Sequence, residues 1–321
     1  MNAFTPSSVC VVAILATAMA AVLLAGLAVL RLSSRVQARA GAWTLVAAAA
    51  LFSHAATRSE PAGVRMLAVI GLVLFAMKAA VGVESSARLS IGRWLAFAAL
   101  WPGMRPSLFA TLPGRPLPGA ARLAARGLAG IAAGCGLISL ARALFSATGS
   151  RFFPTVLLAL PGLSLVLHFG LFHLAAAGWR AVGVAAEPLF RAPLLATSLR
   201  EFWGRRWNLA FSEMTSAGIY RPVAALVGRS WGIVAAFLAS GILHELAISV
   251  PARAGFGLPL IYFALQGTAV LVEGALEARE TPVNGRGWIG RVWTLTWLAL
   301  PLPILFHPPF LRAVVWPIAG M

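Results

Sequence analysis

Eight apolar runs, separated by segments rich in arginine, constrain the fold of this chain more than any other feature. The hydrocarbon core of a bilayer is about 30 Å thick, which an apolar helix of roughly 20 residues can cross. Backbone polar groups in lipid must bond within the segment, so such runs fold as helices. The runs cover residues 9–30, 42–56, 66–83, 127–145, 152–179, 230–250, 256–276 and 288–306. The sequence therefore predicts an all-α integral membrane protein of about eight transmembrane helices, forming a single domain over residues 1–321.

The distribution of charge favours a membrane rather than a nucleic acid as the partner. The chain is 60% hydrophobic and 11% charged, and arginine supplies nearly all of its formal charge of +17. The arginines stand mostly between the apolar runs, where they set orientation and can meet anionic lipid. Arg31, Arg35 and Arg39 follow the first run, which predicts that the amino terminus is outside and that the arginine-rich segment 180–229 is cytoplasmic. The bias towards arginine and alanine favours a bacterial cytoplasmic membrane.

Several function classes lack the residues that they need. The chain contains no aspartate, so it cannot supply the aspartate clusters that hold magnesium diphosphate, and it has no phosphate-binding G-x-x-x-x-G-K-S/T loop. Cys10 and Cys135 fall within predicted spans, which argues against a disulfide framework or a thiolate zinc site. We therefore expect neither a magnesium diphosphate site nor a thiolate zinc site.

Two segments are polar or broken where the chain should be at membrane depth. Residues 94–101 are apolar but too short to cross, and residues 102–106 that follow contain two prolines and a glycine. This pattern predicts a segment that dips into the membrane or lies on it. Residues 202–208 read FWGRRWN, which predicts either an amphipathic interfacial helix or a re-entrant turn that lines a polar cavity. Arg205 and Arg206 would then either bind carboxylates such as Glu201 and Glu213 or meet the phosphates of an acyl carrier.

Ser240 and His244 are four residues apart on one predicted span, so their side chains share a face. His244 lies near the middle of the membrane, where desolvation disfavours the imidazolium cation. A neutral imidazole is a competent general base for an alcohol. The alternative is a histidine that packs against a neighbouring helix.

Other patterns in the chain are weaker signals. His244 and Glu245 would begin an H-E-x-x-H zinc motif, but Ile248 occupies the position of the second histidine. Residues 228–232 fit G-x-S-x-G but open a membrane helix rather than a strand-turn-helix. His168 and His173 are five apart, so we interpret them as packing or tunnel-lining residues.

Six short motifs are similar to those of a known family. The two central motifs are FWGRRWN at 202–208 and SGILHE at 240–245. The others are WPGM at 101–104, YRP at 220–222, FALQG at 263–267 with Glu273, and RVWT at 291–294. Together they resemble the wax synthase branch of the membrane-bound O-acyltransferase superfamily, over an acyltransferase core at 101–317. The spans within residues 9–83 match only as generic membrane helices.

The resemblance implies a helical fold around a tunnel, with direct transfer of a fatty acyl group from a thioester to a hydroxyl. Such a transfer needs no covalent enzyme intermediate, no metal and no cofactor. His244 would be the general base, and Asn208 would orient a reacting group or polarise the acyl carbonyl. The implied partners are the bilayer, an acyl thioester carried on coenzyme A or a carrier protein, and a lipophilic alcohol; a homo-oligomer is left open. The candidate substrate contacts are Trp203, Arg205, Arg206, Trp207, Ser240, Glu245 and Gln266.

Two observations limit the resemblance. Some relatives have histidine where this chain has Gln266, so a second histidine is not expected there. A transporter that uses His244, Glu245, Glu273 and Lys78 as a proton relay is the competing hypothesis, although the sequence shows no inverted repeat.

Overall fold

The computed structural model describes residues 3–278 and 287–321; the rest of the predicted single domain lies outside the described residues. The described part is helical and contains no strand. The first half comprises α1 (Val9–Val29), α2 (Arg35–Ala56), α3 (Ala62–Glu84), α4 (Ile91–Leu100), α5 (Ala120–Thr148) and α6 (Phe152–Ala181). The second half comprises α7 (199–206), α8 (209–227), α9 (Arg229–Ala252), α10 (Leu258–Ala278), α11 (Trp288–Leu305) and α12 (308–319). Short 3₁₀ turns lie at Pro106–Phe109 and Pro193–Leu195.

The prediction of an all-α membrane protein is confirmed, with one difference in the number of spans. Seven helices of the described residues are long and apolar enough to cross a membrane. The eighth predicted run, 42–56, forms most of α2, but the helix begins at Arg35 and includes Arg39, which lowers its hydropathy. Helix α2 packs along α3, the most buried of the candidate spans, and α1 covers another side of α3.

The segment 94–106 does not cross, as its length predicts. Helix α4 ends at Leu100, and the chain continues without helix to the turn at Pro106. Buried Lys78 of α3 donates to the carbonyl oxygens of Trp101 (2.6 Å) and Gly103. A buried amino group needs such partners, so Lys78 fixes the backbone of the WPGM motif.

A second contact fixes the same segment from α8. Arg105 forms an ion pair of 2.6 Å with Glu213. Burial raises the pKa of Glu213, and the Arg105 guanidinium opposes that shift. Segment 101–105 is therefore attached to α3 on one side and to α8 on the other.

Six π turns interrupt the helices of the described part. In a π turn, a backbone N–H donates to the carbonyl oxygen five residues earlier, instead of four residues earlier as in an α-helix. Such turns occur often at functional sites. They are Thr155–Ala159 and Leu165–Leu171 in α6, Phe202–Arg206 in α7, Ser216–Tyr220 in α8, Glu245–Ser249 in α9 and Leu311–Val315 in α12. Each of these helices therefore changes its register at one or more places.

Glycines allow α5 and α6 to pack closely. A Cβ on Gly134 would lie 2.6 Å from the carbonyl oxygen of Gly162, and one on Gly130 would lie 2.8 Å from the carbonyl oxygen of Phe169. Because the neighbouring atoms belong to the backbone, they cannot rotate away. Helix α5 thus holds α6 at a distance that larger residues do not permit.

Replacing Gly134 with valine is therefore expected to destabilise the protein by about 1–3 kcal/mol, the usual cost of overpacking a close contact. Gly136→Val is the matched control, because it lies on the same helix and a Cβ there meets nothing within 4 Å. The measurement is the midpoint of thermal unfolding of the purified protein in detergent. Equal midpoints for the two variants would show that α5 and α6 do not depend on this approach.

Candidate active site

A cavity of about 1910 Å³ lies between helices α6 to α12, with contributions from α3. Small-molecule pockets are usually about 300–1,000 Å³, so the space is large enough for long substrates. Its wall is mainly apolar. Five of the nine predicted site residues line it: Trp203, Trp207, Asn208, Ser240 and His244.

His244 stands where the regular part of α9 passes into its π turn. It is roughly 20 Å along the helix from Arg229, counting 1.5 Å per residue. Its Nδ1 is 2.7 Å from the carbonyl oxygen of Ser240. A carbonyl oxygen can only accept, so Nδ1 carries the hydrogen, and Nε2 of the neutral ring keeps its lone pair. This tautomer is the one that a general base acting through Nε2 requires.

Two phenylalanines hold the imidazole of His244 in place. The ring centroid of Phe263 lies 4.2 Å from that of His244, and the centroid of Phe211 lies 5.7 Å away. Both phenylalanines line the cavity. The histidine is therefore fixed in orientation while it remains part of the cavity wall.

Asn208 is the residue before α8 and has a left-handed backbone with φ of 44°. Asparagine tolerates this conformation better than most residues. Its Oδ1 accepts from the backbone N–H of Phe211 at 3.3 Å. Since that partner is a donor, the side-chain oxygen must face it, and the –NH2 group is left for other acceptors. Asn208 thus caps a helix with one atom and can offer hydrogen-bond donors to the cavity with another.

Trp203 and Trp207 form part of the same cavity wall as His244 and Asn208. The indole of Trp207 stacks on Phe202, with centroids 5.6 Å apart. The indole N–H of Trp203 donates to Oε1 of Gln266 at 3.2 Å, and Nε2 of Gln266 donates to the carbonyl oxygen of Trp297 at 2.7 Å. Gln266 is fully buried behind Trp203 and does not line the cavity. It therefore acts on the cavity through the indole that it holds.

The two arginines of the central motif have different surroundings. Arg206 forms an ion pair of 2.6 Å with Glu201 and also donates to the carbonyl oxygens of Arg191 and Ala192. Arg205 is exposed, and neither arginine lines the cavity. Arg206 thus fits the first of the two predicted roles, the attachment of the loop to a carboxylate.

Glu245 points away from the cavity, although it is the neighbour of His244. Its Oε1 accepts from the backbone N–H of Leu260 at 3.2 Å, in the first turn of α10. Glu245 is not among the lining residues. The hydroxyl of Ser240 donates to the carbonyl oxygen of Ala236 at 2.7 Å, so that side chain already has an acceptor.

The charged groups of the competing relay hypothesis are bound separately. Glu273 accepts from the backbone N–H groups of Leu199 (2.8 Å) and Arg200 (3.2 Å) and from the indole of Trp293 (2.9 Å). Lys78 binds the carbonyl oxygens described above. Each side chain thus attaches a nearby segment. Among the described residues, no hydrogen bond joins Glu273 or Lys78 to His244.

Two residues outside the predicted set, His168 and Arg200, also line the cavity. His168 lines it, lies 3.0 Å from the hydroxyl of Ser164 and stacks on Phe190, with ring centroids 4.1 Å apart. Its sequence interpretation as a tunnel-lining residue agrees with this position. Arg200 lines the cavity with an ion pair of 2.9 Å to Glu277. The sequence does not identify Arg200 as a site residue, because nothing distinguishes it from the other arginines of segment 180–229.

The described residues contain no group of three or more His, Cys, Asp or Glu side chains that could hold a metal ion. The absence of a cofactor stays a prediction.

Comparison with known proteins connects this cavity to a family. Residues 186–265 match the family described as "Membrane bound O-acyl transferase family". That range contains Trp203, Asn208, Ser240 and His244. The helical membrane fold and this match point to one class: the segment that builds the site is similar to that of membrane-bound O-acyltransferases.

The segment is also similar to long-chain-alcohol O-fatty-acyltransferases and to a sterol O-acyltransferase. One is "Probable long-chain-alcohol O-fatty-acyltransferase 9" of Arabidopsis thaliana, 35% identical over 147 residues, or 41% of this chain and 42% of that protein. Another is "Long-chain-alcohol O-fatty-acyltransferase" of Simmondsia chinensis, 34% identical over 138 residues, or 37% and 39%. "Acyl-CoA--sterol O-acyltransferase 1" of Arabidopsis thaliana is 35% identical over 139 residues, or 39% of each. The matched region thus spans about two fifths of the length of these relatives.

Proposed function

We propose that this protein is a membrane O-acyltransferase that moves a fatty acyl group from a thioester to the hydroxyl of a lipophilic alcohol. The observation that carries the proposal is the 2.7 Å contact between Nδ1 of His244 and the carbonyl oxygen of Ser240, in a residue that lines a large apolar cavity. This contact assigns the hydrogen to Nδ1 and leaves Nε2 with its lone pair. The names of the relatives support the same class of reaction.

The reaction needs two proton transfers, one from the alcohol to His244 and one from His244 to the leaving thiolate. Nε2 of His244 takes the hydroxyl proton while the alcohol oxygen bonds to the acyl carbonyl carbon. The –NH2 group of Asn208 donates to the oxygen that becomes negative in the tetrahedral intermediate. The carbon–sulfur bond then breaks, and the thiolate takes the proton from Nε2. The products are an ester and a free thiol, so the scheme requires no metal, no cofactor and no acyl-enzyme.

The cavity also suggests how the donor and the acceptor are held. Arg200 and Arg229 line the cavity and belong to the arginine-rich segment 180–229, which the positive-inside rule predicts to be cytoplasmic. Their guanidinium groups can bind the phosphates of coenzyme A or of a carrier protein. The apolar wall would take the acyl chain and the alcohol. A long-chain alcohol is the proposed acceptor, and a sterol is the second candidate because one relative is named for that activity.

The apolar helices and the family match make this a multi-pass integral membrane protein. The bacterial cytoplasmic membrane stays a prediction from composition, since the relatives named above are from plants.

The test is ester synthesis in membranes that contain the protein. Labelled palmitoyl-coenzyme A or palmitoyl-carrier protein is supplied with hexadecanol, a sterol or a diacylglycerol, and the products are separated by chromatography. Ester above the level of membranes without the protein supports the proposal and identifies the preferred pair. No ester from any pair, with the protein present and folded, would contradict it.

A further inference from the structure

Glu245 and His307 carry two buried polar atoms that no described group satisfies. These atoms are Oε2 of Glu245 and Nε2 of His307, each without a hydrogen-bond partner among the described residues. Buried polar side-chain atoms nearly always have a partner, in the protein or in an ordered water molecule. Neither residue lines the cavity of the proposed active site.

His307 presents a hydrogen-bond donor. The side chain is 1% exposed, and its Nδ1 accepts from the backbone N–H of Phe310 at 3.3 Å, where α12 begins. Burial lowers the pKa of His307, and the Glu245 carboxylate opposes that shift. Because Nδ1 accepts, the single hydrogen of a neutral ring is on Nε2. The unsatisfied atom is therefore an N–H group.

Glu245 presents an acceptor to the same region. Its Oε1 is occupied by the backbone N–H of Leu260, which orients the carboxylate and leaves Oε2 unsatisfied. The two side chains form no direct hydrogen bond. Glu245 begins the π turn that ends at Ser249, and Ser249 bonds to Gly255 beside the imidazole of His307. A donor and an acceptor, both buried and neither satisfied, thus belong to the same part of the fold.

The backbone fixes the position of the imidazole. A Cβ on Gly255 would lie 2.4 Å from Nε2 of His307, and Gly255 has φ of +73°. The hydroxyl of Ser249, in the π turn of α9, donates to the carbonyl oxygen of Gly255 at 3.2 Å. The histidine therefore fits against a turn that is itself bonded to α9.

We infer that Glu245 and His307 bind one buried water molecule between them, and that this bridge positions His244. The water accepts from Nε2–H of His307 and donates to Oε2 of Glu245, which satisfies both atoms. The bridge joins the residue next to His244 to the start of α12. The water site does not depend on the proposed acyl transfer, whereas the positioning role rests on it.

Helix α12 and the π turn of α9 connect the bridge to the cavity wall. Phe310, Val314 and Val315 line the cavity from α12, and Ala247 and Ile248 line it from the π turn that Glu245 begins. Glu245 and His307 therefore connect two walls of the cavity from behind. We class both as positioning residues, because neither lines the cavity that holds the reacting groups.

The first test is a double-mutant cycle on thermal unfolding of the full protein in detergent. Glu245→Gln removes the acceptor Oε2, and His307→Asn keeps an oxygen able to cap α12 but removes the distant N–H. Each single variant is expected to lower the midpoint by about 2–4 °C. The double variant should lose about as much as one single variant, because either change alone breaks the bridge. Additive losses would overturn the inference.

A second variant and a control separate the bridge from a general loss of packing. His307→Gln carries an amide N–H at about the reach of Nε2, and it should recover part of the midpoint lost in His307→Asn. His54→Asn changes an exposed histidine of α2 and should leave the midpoint unchanged. A lower midpoint for His307→Gln than for His307→Asn would count against the bridge.

The positioning role is read from kinetics with the donor and alcohol that the wild type uses. Glu245→Gln and His307→Asn should each lower kcat about tenfold with KM for both substrates unchanged, and the double variant should lower it no further. Raised KM with normal kcat would overturn the positioning role. Absence of ester from the wild type would instead count against the proposed function, and the unfolding cycle would still decide the water site.

Discussion

Replacing His244 with alanine is expected to lower ester formation by about 10²- to 10⁴-fold, the usual effect of losing a positioned general base. The imidazole is held by the carbonyl oxygen of Ser240 at 2.7 Å and by the rings of Phe211 and Phe263. Alanine keeps the helix but removes Nε2. Initial rates in membranes, with the substrate pair that the wild type prefers and equal amounts of protein, measure the effect.

His54→Ala is the control for this variant, because it removes an exposed imidazole of α2 outside the cavity. It should keep the wild-type rate. If His244→Ala also kept that rate, the mechanism proposed here would be wrong even if the protein makes ester. A normal rate for His54→Ala and a lost rate for His244→Ala would assign the base.

Replacing Asn208 with aspartate is expected to lower the rate by about 10²- to 10³-fold, with little change in stability. Aspartate keeps an oxygen that can accept from the N–H of Phe211, and it tolerates the left-handed backbone of residue 208. It loses the –NH2 group and adds a negative charge where the oxyanion would form. The measurements are kcat and the midpoint of thermal unfolding on the same preparation.

Asn208→Gly separates charge from the loss of the donor. Glycine accepts the positive φ of residue 208 and costs only a few tenths of a kcal/mol as a helix cap relative to asparagine. Its rate should also fall, though less than that of the aspartate variant, because no charge is added. Wild-type rates in both variants would limit Asn208 to the capping of α8.

The spans could be predicted from the sequence because each depends on a local property, the length of an apolar run. The shared face of Ser240 and His244 could be predicted for the same reason, since helix geometry sets it. Gln266 and Arg206 are different cases. Gln266 supports Trp203 from another helix, and Arg206 binds the backbone at 191–192 in addition to the predicted Glu201. The contact of Gln266 with Trp203 and that of Arg206 with residues 191–192 depend on how the chain packs, which one sequence does not specify.

The same limit applies to Asn208 and to Glu245. The motif identifies Asn208 as a candidate, but its left-handed backbone and the use of Oδ1 as a cap appear only in the structure. The position of Glu245 next to His244 suggests a substrate contact, whereas the π turn that begins at Glu245 directs its side chain to α10. A change in helix register cannot be read from a hydrophobic period.

The six π turns have a consequence for how such a cavity changes during evolution. Each of them supplies at least one residue to the cavity wall, for example Val156, His168 and Trp203. A π turn differs from an α-helical turn by one residue, so deletion of a single residue rotates everything beyond it by about 100°. Insertions and deletions inside these helices, and not only substitutions, therefore offer a short route to an altered acceptor preference. Alignments of related chains that place all gaps in loops would miss it.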